Sequence, residues 1–353
     1  MGKKQYFYFF IFLAINNMIY NSVGDVSSNL SVNITHFIIA GLNIFFLVIL
    51  FIDNPKIKIT PLGKSFLYIL PFLLISSILN NSFLGIYNVF LFFEIIIFGS
   101  YLTNYSILYE DKLKIVIFFC LVLYLMKMGT RFMMEGVFSF FVPLDKVVVF
   151  LLFLSQSLKR YKSKIFFFIA LLGRSFSGVS AYFISFIFIN YRKLFYLLTI
   201  VFVFLFSAIN AYLENNVGQV LFYEKSAEHF LTGSGRFDLY YKGFLNFFSS
   251  SPFEMIFGSG YMTERSILSG LDLTWSSDPH NAVLRALIGC GFIGLFSLIY
   301  IYIKTFKAIV YNNKLKILFF SIIIFSQLNT IYGLKPNETH LLILILAGNY
   351  KNA

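Results

Sequence analysis

The sequence Asp-Pro-His-Asn at positions 278–281 could do chemistry because it joins a polar segment to an apolar one. Residues 214–277 form the largest polar stretch of the chain, and an apolar run follows the motif. Asp278 suits an N-cap and Pro279 suits the first helical position, which predicts a helix start with His280 in its first turn. Because a helix N-terminus disfavours positive charge, His280 is predicted to be a neutral base for a hydroxyl group near pH 7.

Three arginines could bind an anionic group beside this histidine. Arg174 lies between two apolar segments, and Arg236 follows a Gly-Ser-Gly turn ahead of a predicted helix. Arg285 lies about one turn into the apolar helix and shares a face with Asn281. A guanidinium group donates two parallel hydrogen bonds to a phosphate, and a glycine-rich turn presents backbone N–H groups to an anion.

Each of these residues also has an ordinary structural interpretation. Arg174 could anchor on lipid headgroups, and Arg236 could be a solvated loop arginine. Arg285 could pair with one of four carboxylates near it in the sequence, namely Glu254, Glu264, Asp272 and Asp278. A lone histidine at an interface is more often structural than catalytic, and this applies even more to His229.

Metal and thiol chemistry are not indicated by the sequence. The chain has no Asp-x-Asp, His-x-x-x-His or cysteine cluster, so no metal site and no cofactor is predicted. Cys120 and Cys290 both fall in apolar segments and predict no disulfide. Glu94 also lies in an apolar segment, where it is expected to face other helices without an assigned role. Gly291 and Gly294 are expected to allow close helix packing.

The composition predicts a membrane protein. The chain has 353 residues, of which 58% are hydrophobic and 12% charged, and its mean hydropathy is +0.79. Soluble domains have about 25% charged residues, so this deficit predicts a single integral membrane domain over residues 1–353. A net charge of +12 would suggest nucleic-acid binding in a soluble protein. Here the basic residues lie mostly at the ends of apolar segments, so topology explains them and no nucleic-acid partner is predicted.

Twelve apolar segments predict an all-α transmembrane bundle, with ten or eleven spans as alternatives. They lie at 5–20, 36–52, 65–79, 83–103, 114–128, 144–158, 164–173, 178–190, 194–213, 282–303, 316–333 and 339–350. Lysine and arginine cluster at the segment ends on one side of the predicted membrane, whereas the short loops at 21–35 and 80–82 on the other side contain none. Because basic loops lie in the cytoplasm, the large loop at 214–280 is predicted to lie outside the cytoplasm. Within it, residues 236–248 predict a short amphipathic helix whose aromatic side chains lie in the headgroup layer.

These features resemble the O-antigen polymerase and O-antigen ligase superfamily of bacterial membrane glycosyltransferases. Three motifs carry the resemblance. They are Pro279-His280-Asn281 followed by Leu284, Leu287, Gly291 and Gly294; Gly235-Arg236 followed by Pro252 and Gly258-Ser259-Gly260; and Gly173-Arg174-Ser175, where glycine replaces the family's leading serine. The late, large outer loop also fits, although the motifs are confined to residues 173–294.

The resemblance implies glycans linked through pyrophosphate to an undecaprenyl lipid as substrates, on the periplasmic face of the bacterial inner membrane. Such enzymes transfer the glycan to an acceptor hydroxyl with inversion at the anomeric carbon and without a metal. His280 would activate or orient the acceptor, and Arg174 and Arg236 would hold the pyrophosphate. Arg285 matches no family position and, with Asn281, is a substrate-binding candidate from helix geometry alone. Expected partners are the lipid-linked oligosaccharide, membrane lipids and a chain-length regulator protein.

The leading hypothesis is an O-antigen polymerase that joins repeat units on the lipid carrier during lipopolysaccharide biosynthesis. An O-antigen ligase acting on the lipid A core is a close alternative, and a capsule polysaccharide polymerase is equally compatible with the residues. A lipid-linked glycan flippase or other transporter is the alternative from a different class. A transporter should place polar residues and broken helices at mid-membrane, whereas the candidate site residues cluster toward one side, which favours an enzyme.

Overall fold

The part of the chain described by a computed structural model is all-helical, with no strand. It comprises residues 3–23, 34–54, 56–106, 108–135, 145–159, 161–172, 176–190, 236–270, 280–329 and 332–348. The helices are α1 Lys3–Val23, α2 Ile34–Asp53, α3 Pro61–Leu67, α4 Leu70–Leu79, α5 Phe83–Tyr105, α6 Tyr109–Glu135, α7 Asp145–Ser157, α8 Tyr161–Leu172, α9 Phe176–Asn190, α10 Arg236–Phe248, α11 Pro252–Phe257, α12 Glu264–Ser269, α13 Ala282–Ile309, α14 Asn313–Asn329 and α15 Glu338–Ala347.

The predicted apolar segments overlap these helices, except for 194–213, which lies outside the described residues. Within the described part, three helical segments are long and apolar enough to cross a membrane. They are Pro61–Leu79, which comprises α3 and α4, together with α5 and α13. The remaining spans of the predicted bundle stay a prediction.

The last predicted span, at 339–350, is instead a short enclosed helix. All ten residues of α15 are buried, and a helix of that length extends only about 15 Å, against roughly 30 Å for the hydrocarbon layer. It packs on α5, where a Cβ at Gly99 would lie 3.1 Å from the side chain of Leu344. The hydroxyl of Thr103 donates to the Leu344 carbonyl at 3.1 Å. Burial on all sides, rather than exposure to lipid, explains the apolar sequence of this helix.

Helices α1, α2 and α5 share a core of aromatic rings. The ring of Phe98 lies 4.9 Å from Phe12 and 5.2 Å from Phe46, measured between centroids. At one end of this core the Tyr8 hydroxyl and the Lys4 ammonium both contact the carboxylate of Asp53. Offset and edge-on ring pairs of this kind add roughly 0.5–1.5 kcal/mol each beyond their buried area.

Helix α13 is broken at Gly291, where the backbone has φ 63° and ψ −155°. The break frees the carbonyls of Ile288 and Gly289 from their usual partners one turn later. The loop before α12 replaces those partners, because Ser259 N–H donates to Ile288 O at 2.9 Å and Gly260 N–H donates to Gly289 O at 3.1 Å. Gly291 and Gly294 were expected to allow close helix packing, and at Gly291 the approach of helix α11 confirms this.

The α4–α5 corner is attached to the same loop. The Ser76 hydroxyl lies 3.0 Å from both the Gly289 and Phe257 carbonyl oxygens. Ser82 caps α5 by accepting from the Gly85 N–H at 3.1 Å, and its hydroxyl donates to the Tyr261 carbonyl at 2.7 Å. Residues 257–261 are therefore wedged between α4, α5 and the broken α13.

We expect Gly291→Ala to disrupt this arrangement. The new Cβ would lie 2.5 Å from the carbonyl carbon and oxygen of Ile256, and the left-handed backbone adds about 1–2 kcal/mol of strain for any L-residue. The apparent melting temperature of the purified chain in detergent should fall sharply. Gly41→Ala is the matched control, since a Cβ there meets no atom within 4 Å and a helical Gly-to-Ala change stabilises by about 0.5–1 kcal/mol. Equal melting temperatures for Gly291→Ala and the wild type would contradict the close contact at the break.

Candidate functional site

The helix start at the candidate site differs from the prediction. Helix α13 begins at Ala282, and its N-cap is Asn281, whose Oδ1 accepts from the Leu284 N–H at 2.9 Å. The expectation that Asp278 caps this helix with His280 in its first turn is therefore wrong. Asp278 and Pro279 lie outside the described residues, and His280 lies one residue before the cap.

His280 has an unusual backbone conformation. Its φ is 46°, in the left-handed region that few non-glycine residues adopt. Such conformations cost about 1–3 kcal/mol and persist where surrounding contacts impose them, often at functional sites. The residue is half-buried at the edge of α13.

Tyr240 of α10 joins His280 to α14. Its hydroxyl lies 2.9 Å from the Gln327 carbonyl oxygen and 3.4 Å from the His280 carbonyl oxygen. The Asn281 amide nitrogen approaches the same Gln327 carbonyl at 3.4 Å. Helices α10, α13 and α14 thus meet beside the residue that precedes the cap.

Helix α10 has the bounds expected from the sequence, Arg236–Phe248. It was predicted to lie in the headgroup layer with its aromatic residues, but one face packs on α13. Gly243 allows this approach, because a Cβ there would lie 2.9 Å from the Leu284 side chain. Phe247 is buried with its ring 5.5 Å from that of Phe292. Tyr241 and Phe248 remain exposed.

Arg236 is the first residue of α10, one turn before Tyr240 on the same helical face. Because the Tyr240 hydroxyl reaches the His280 backbone, the structure places the positions of Arg236 and His280 at the same end of α10 and α13. Arg174 lies outside the described residues. Of the three candidate arginines, Arg236 begins the helix that contacts the His280 backbone, and Arg285 lies on the helix that His280 precedes.

Arg285 points into the protein and pairs with Glu264 of α12. Its Nη1 contacts the Glu264 Oε1 in an ion pair whose side chains are only 6% and 1% exposed. The structure thus confirms the structural interpretation of Arg285, in which it pairs with a carboxylate of the loop. A small apolar cluster of Leu239, Leu268, Leu284 and Ile288 packs beside the pair and joins α10, α12 and α13.

The described cavities lie elsewhere. One of about 490 Å³ opens between α7, α8 and α9, and one of about 510 Å³ lies near the ends of α2 and α5. Neither is lined by His280, Asn281 or Arg285. Among the described residues, no group of three or more His, Cys, Asp or Glu side chains is placed to hold a metal ion.

His340 is a fully buried histidine that was not among the residues predicted from the sequence. Its Nε2 lies 2.8 Å from the Gly333 carbonyl oxygen, and its Nδ1 lies 3.1 Å from the Asn337 Oδ1, which also accepts from the Thr339 N–H. Both ring nitrogens therefore lie within hydrogen-bond distance of an oxygen atom, and the centroid of the Tyr332 ring lies 4.6 Å from that of the imidazole. The sequence signal was a polar Asn-Glu-Thr-His run directly before an apolar segment.

Tyr261 fixes the turn that precedes α15. Its hydroxyl donates to the Leu334 carbonyl oxygen at 2.7 Å. Burial raises the pKa of the Tyr261 phenol well above its ordinary value, so the group stays a neutral donor. The loop that docks on broken α13 therefore also holds the segment carrying His340.

Comparison with known proteins gives no assignment, since no family model, curated protein or solved structure matches this chain.

We expect the Arg285–Glu264 pair to be structural. Glu264→Gln or Arg285→Gln alone leaves one buried polar group unbalanced and should cost about 3–5 kcal/mol, whereas Glu264→Leu with Arg285→Met should recover most of that stability. Melting temperatures in detergent measure the recovery. Asp111→Asn is the control, since it breaks an exposed Lys114 pair at 3.0 Å and should have little effect. A double variant that is as stable as the wild type but has lost the activity of the chain would instead identify Arg285 as a substrate-binding residue.

Proposed function

We propose that this chain is a membrane-embedded glycosyltransferase of the O-antigen polymerase type. It joins oligosaccharide repeat units carried on undecaprenyl diphosphate, with its site at the periplasmic face of the bacterial inner membrane. The observation that supports this most is the contact of Tyr240 with the His280 carbonyl oxygen, because Tyr240 lies one turn after Arg236, the first residue of α10. A base and a cation at one helix end are the two groups that this transfer requires.

The proposed reaction assigns one role to each group. The His280 imidazole removes the proton from an acceptor hydroxyl of one repeat unit. The hydroxyl oxygen bonds to the anomeric carbon of the donor glycan as the bond to the pyrophosphate breaks, and the electron pair leaves with the lipid pyrophosphate. Arg236, together with Arg174, offsets the charge that develops on this leaving group. The donor is already activated, so no nucleotide-binding motif is needed.

The position of Arg285 refines this proposal. The buried Glu264 carboxylate balances its guanidinium charge, which leaves Arg174 and Arg236 as the cations for the pyrophosphate. Asn281 uses its Oδ1 as the N-cap, so its contribution is to fix where α13 begins and hence where His280 lies. An O-antigen ligase and a capsule polysaccharide polymerase would use the same groups with another acceptor.

A lipid-linked glycan transporter is the second candidate, and two observations favour it. Helix α13, one of the apolar segments long enough to cross a membrane, is broken at Gly291. Glu94 is fully buried near the middle of α5, another such segment. Broken helices and buried ionisable groups within the membrane are typical of transporters.

Deletion of the gene, followed by electrophoresis of the cell-surface glycan, separates these functions. A polymerase deletion leaves lipid A core carrying a single repeat unit, and a ligase deletion leaves the core without O-antigen. Loss of a transporter traps the lipid-linked unit in the cytoplasm. Complementation with His280→Ala should reproduce the single-repeat pattern while the protein still inserts. Long-chain glycan from that variant would remove His280 from catalysis.

Tyr240→Phe tests whether the α10 contact matters to the reaction. Removing the hydroxyl loses its contacts to the His280 and Gln327 carbonyls and should lower polymer synthesis roughly 3–10-fold, as expected for one hydrogen bond. The assay is polymer formed per amount of membrane protein. Tyr241→Phe, on the neighbouring residue with 67% exposure, is the matched control and should retain wild-type activity. Equal activity in the two variants would count against a functional contact.

A further inference from the structure

Two polar side chains are buried without partners near the middle of neighbouring helices. Glu94 lies in the 23-residue α5 and Asn43 in the 20-residue α2, and neither is exposed to solvent. Among the described residues, no hydrogen-bond partner is found for either carboxylate oxygen of Glu94 or for either amide atom of Asn43. Such groups are unfavourable in an apolar interior unless something binds them.

The contacts between α2 and α5 put the positions of these two residues at the same level. The helices run parallel, because Phe46 contacts Phe98 with ring centroids 5.2 Å apart, and farther along the Tyr105 hydroxyl donates to the Asn54 Oδ1 at 2.9 Å. The buried amide precedes Phe46 by three residues, and the buried carboxyl precedes Phe98 by four. Each therefore lies one turn below the ring contact, on the same helical face as the ring that makes it.

The described contacts near this pair are aromatic, and one of these side chains carries a hydroxyl group. Phe12 of α1 lies over both rings of the contact, with centroids 4.9 and 6.1 Å away. Tyr87 lies two turns before Glu94 on the same face of α5, and its phenol interacts electrostatically with the carboxyl group. The buried His340 contacts α5 at Phe92, and both of its ring nitrogens bind oxygens outside this site.

We propose that Glu94 and Asn43 bind a monovalent metal cation, such as Na⁺, between α2 and α5. The carboxylate and the amide supply three oxygen atoms, and the Tyr87 hydroxyl is a fourth; oxygen ligands are those that hard cations prefer. A carboxylate with a monovalent cation is net neutral, which the apolar interior requires, whereas a divalent cation would leave a buried positive charge. This site does not depend on the proposed glycosyl transfer.

The test compares the apparent melting temperature of the purified full chain in detergent, with NaCl or with choline chloride at equal ionic strength and pH. Na⁺ in large excess over its dissociation constant should raise the melting temperature by about 5 °C. Glu94→Gln keeps the size of the side chain but removes its charge, and Asn43→Leu removes the amide oxygen. Both variants should lose the difference between the two salts. Asn88→Leu is the control on α5, because that amide is already satisfied by the Leu84 carbonyl at 2.8 Å, and it should keep the difference.

Binding of radiolabelled Na⁺ to the wild type provides a second measurement, which does not require a folded variant. One equivalent displaced by unlabelled NaCl, and not by choline chloride, is expected. A wild type with equal melting temperatures in the two salts and no bound label would overturn the proposal, as would a Glu94→Gln variant that retains the full effect of Na⁺. Glycan synthesis by Glu94→Gln reports separately on the proposed function.

Discussion

The docking of the loop at 258–260 on the broken backbone of α13 is the constraint on which the candidate site depends. A break in an apolar helix leaves carbonyl groups that must find other donors. The Ser259 and Gly260 amides and the Ser76 hydroxyl supply them for Ile288 and Gly289. The approach is so close that a Cβ on Gly258 would lie 2.4 Å from the Gly289 carbonyl group. The polar loop is thus attached to α4 and α13 through hydrogen bonds to backbone carbonyls and close backbone contacts.

That attachment determines which of the candidate arginines is neutralised by a carboxylate. Once the loop is seated, α12 follows directly and brings Glu264 against Arg285, where the two opposite charges compensate each other in a buried setting. The same α13 turns pack against α10 through Leu284, and the Tyr240 hydroxyl of α10 contacts the His280 carbonyl oxygen. The structure therefore holds Arg285 in a neutralised pair inside the protein, and Arg236, the first residue of α10, remains a cation for the proposed anionic substrate.

The helices themselves could be predicted from long apolar runs, and the bounds of α10 followed from its aromatic and polar pattern. The start of α13 could not, because Asp278 and Asn281 are both good N-cap residues and local preference does not choose between them. The partner of Arg285 was one of four carboxylates, and the choice is made by where the loop docks, which is a tertiary effect. Helix α15 was mistaken for a span because complete burial in protein and exposure to lipid select the same apolar residues.

The broken helix and the buried Glu94 carry different weight for the transporter alternative. In transporters, the broken ends of a helix face the substrate, with carbonyls open to bind ions. Here the freed carbonyls of α13 are occupied by the loop and by Ser76, so the break holds the loop in place and is compatible with an enzyme. Glu94 and Asn43 have no such compensation among the described residues. A cation bound there would stabilise the α2–α5 contact and is compatible with both proposed functions. The residues that distinguish the proposed enzyme from the transporter are therefore those at the start of α13, beside His280.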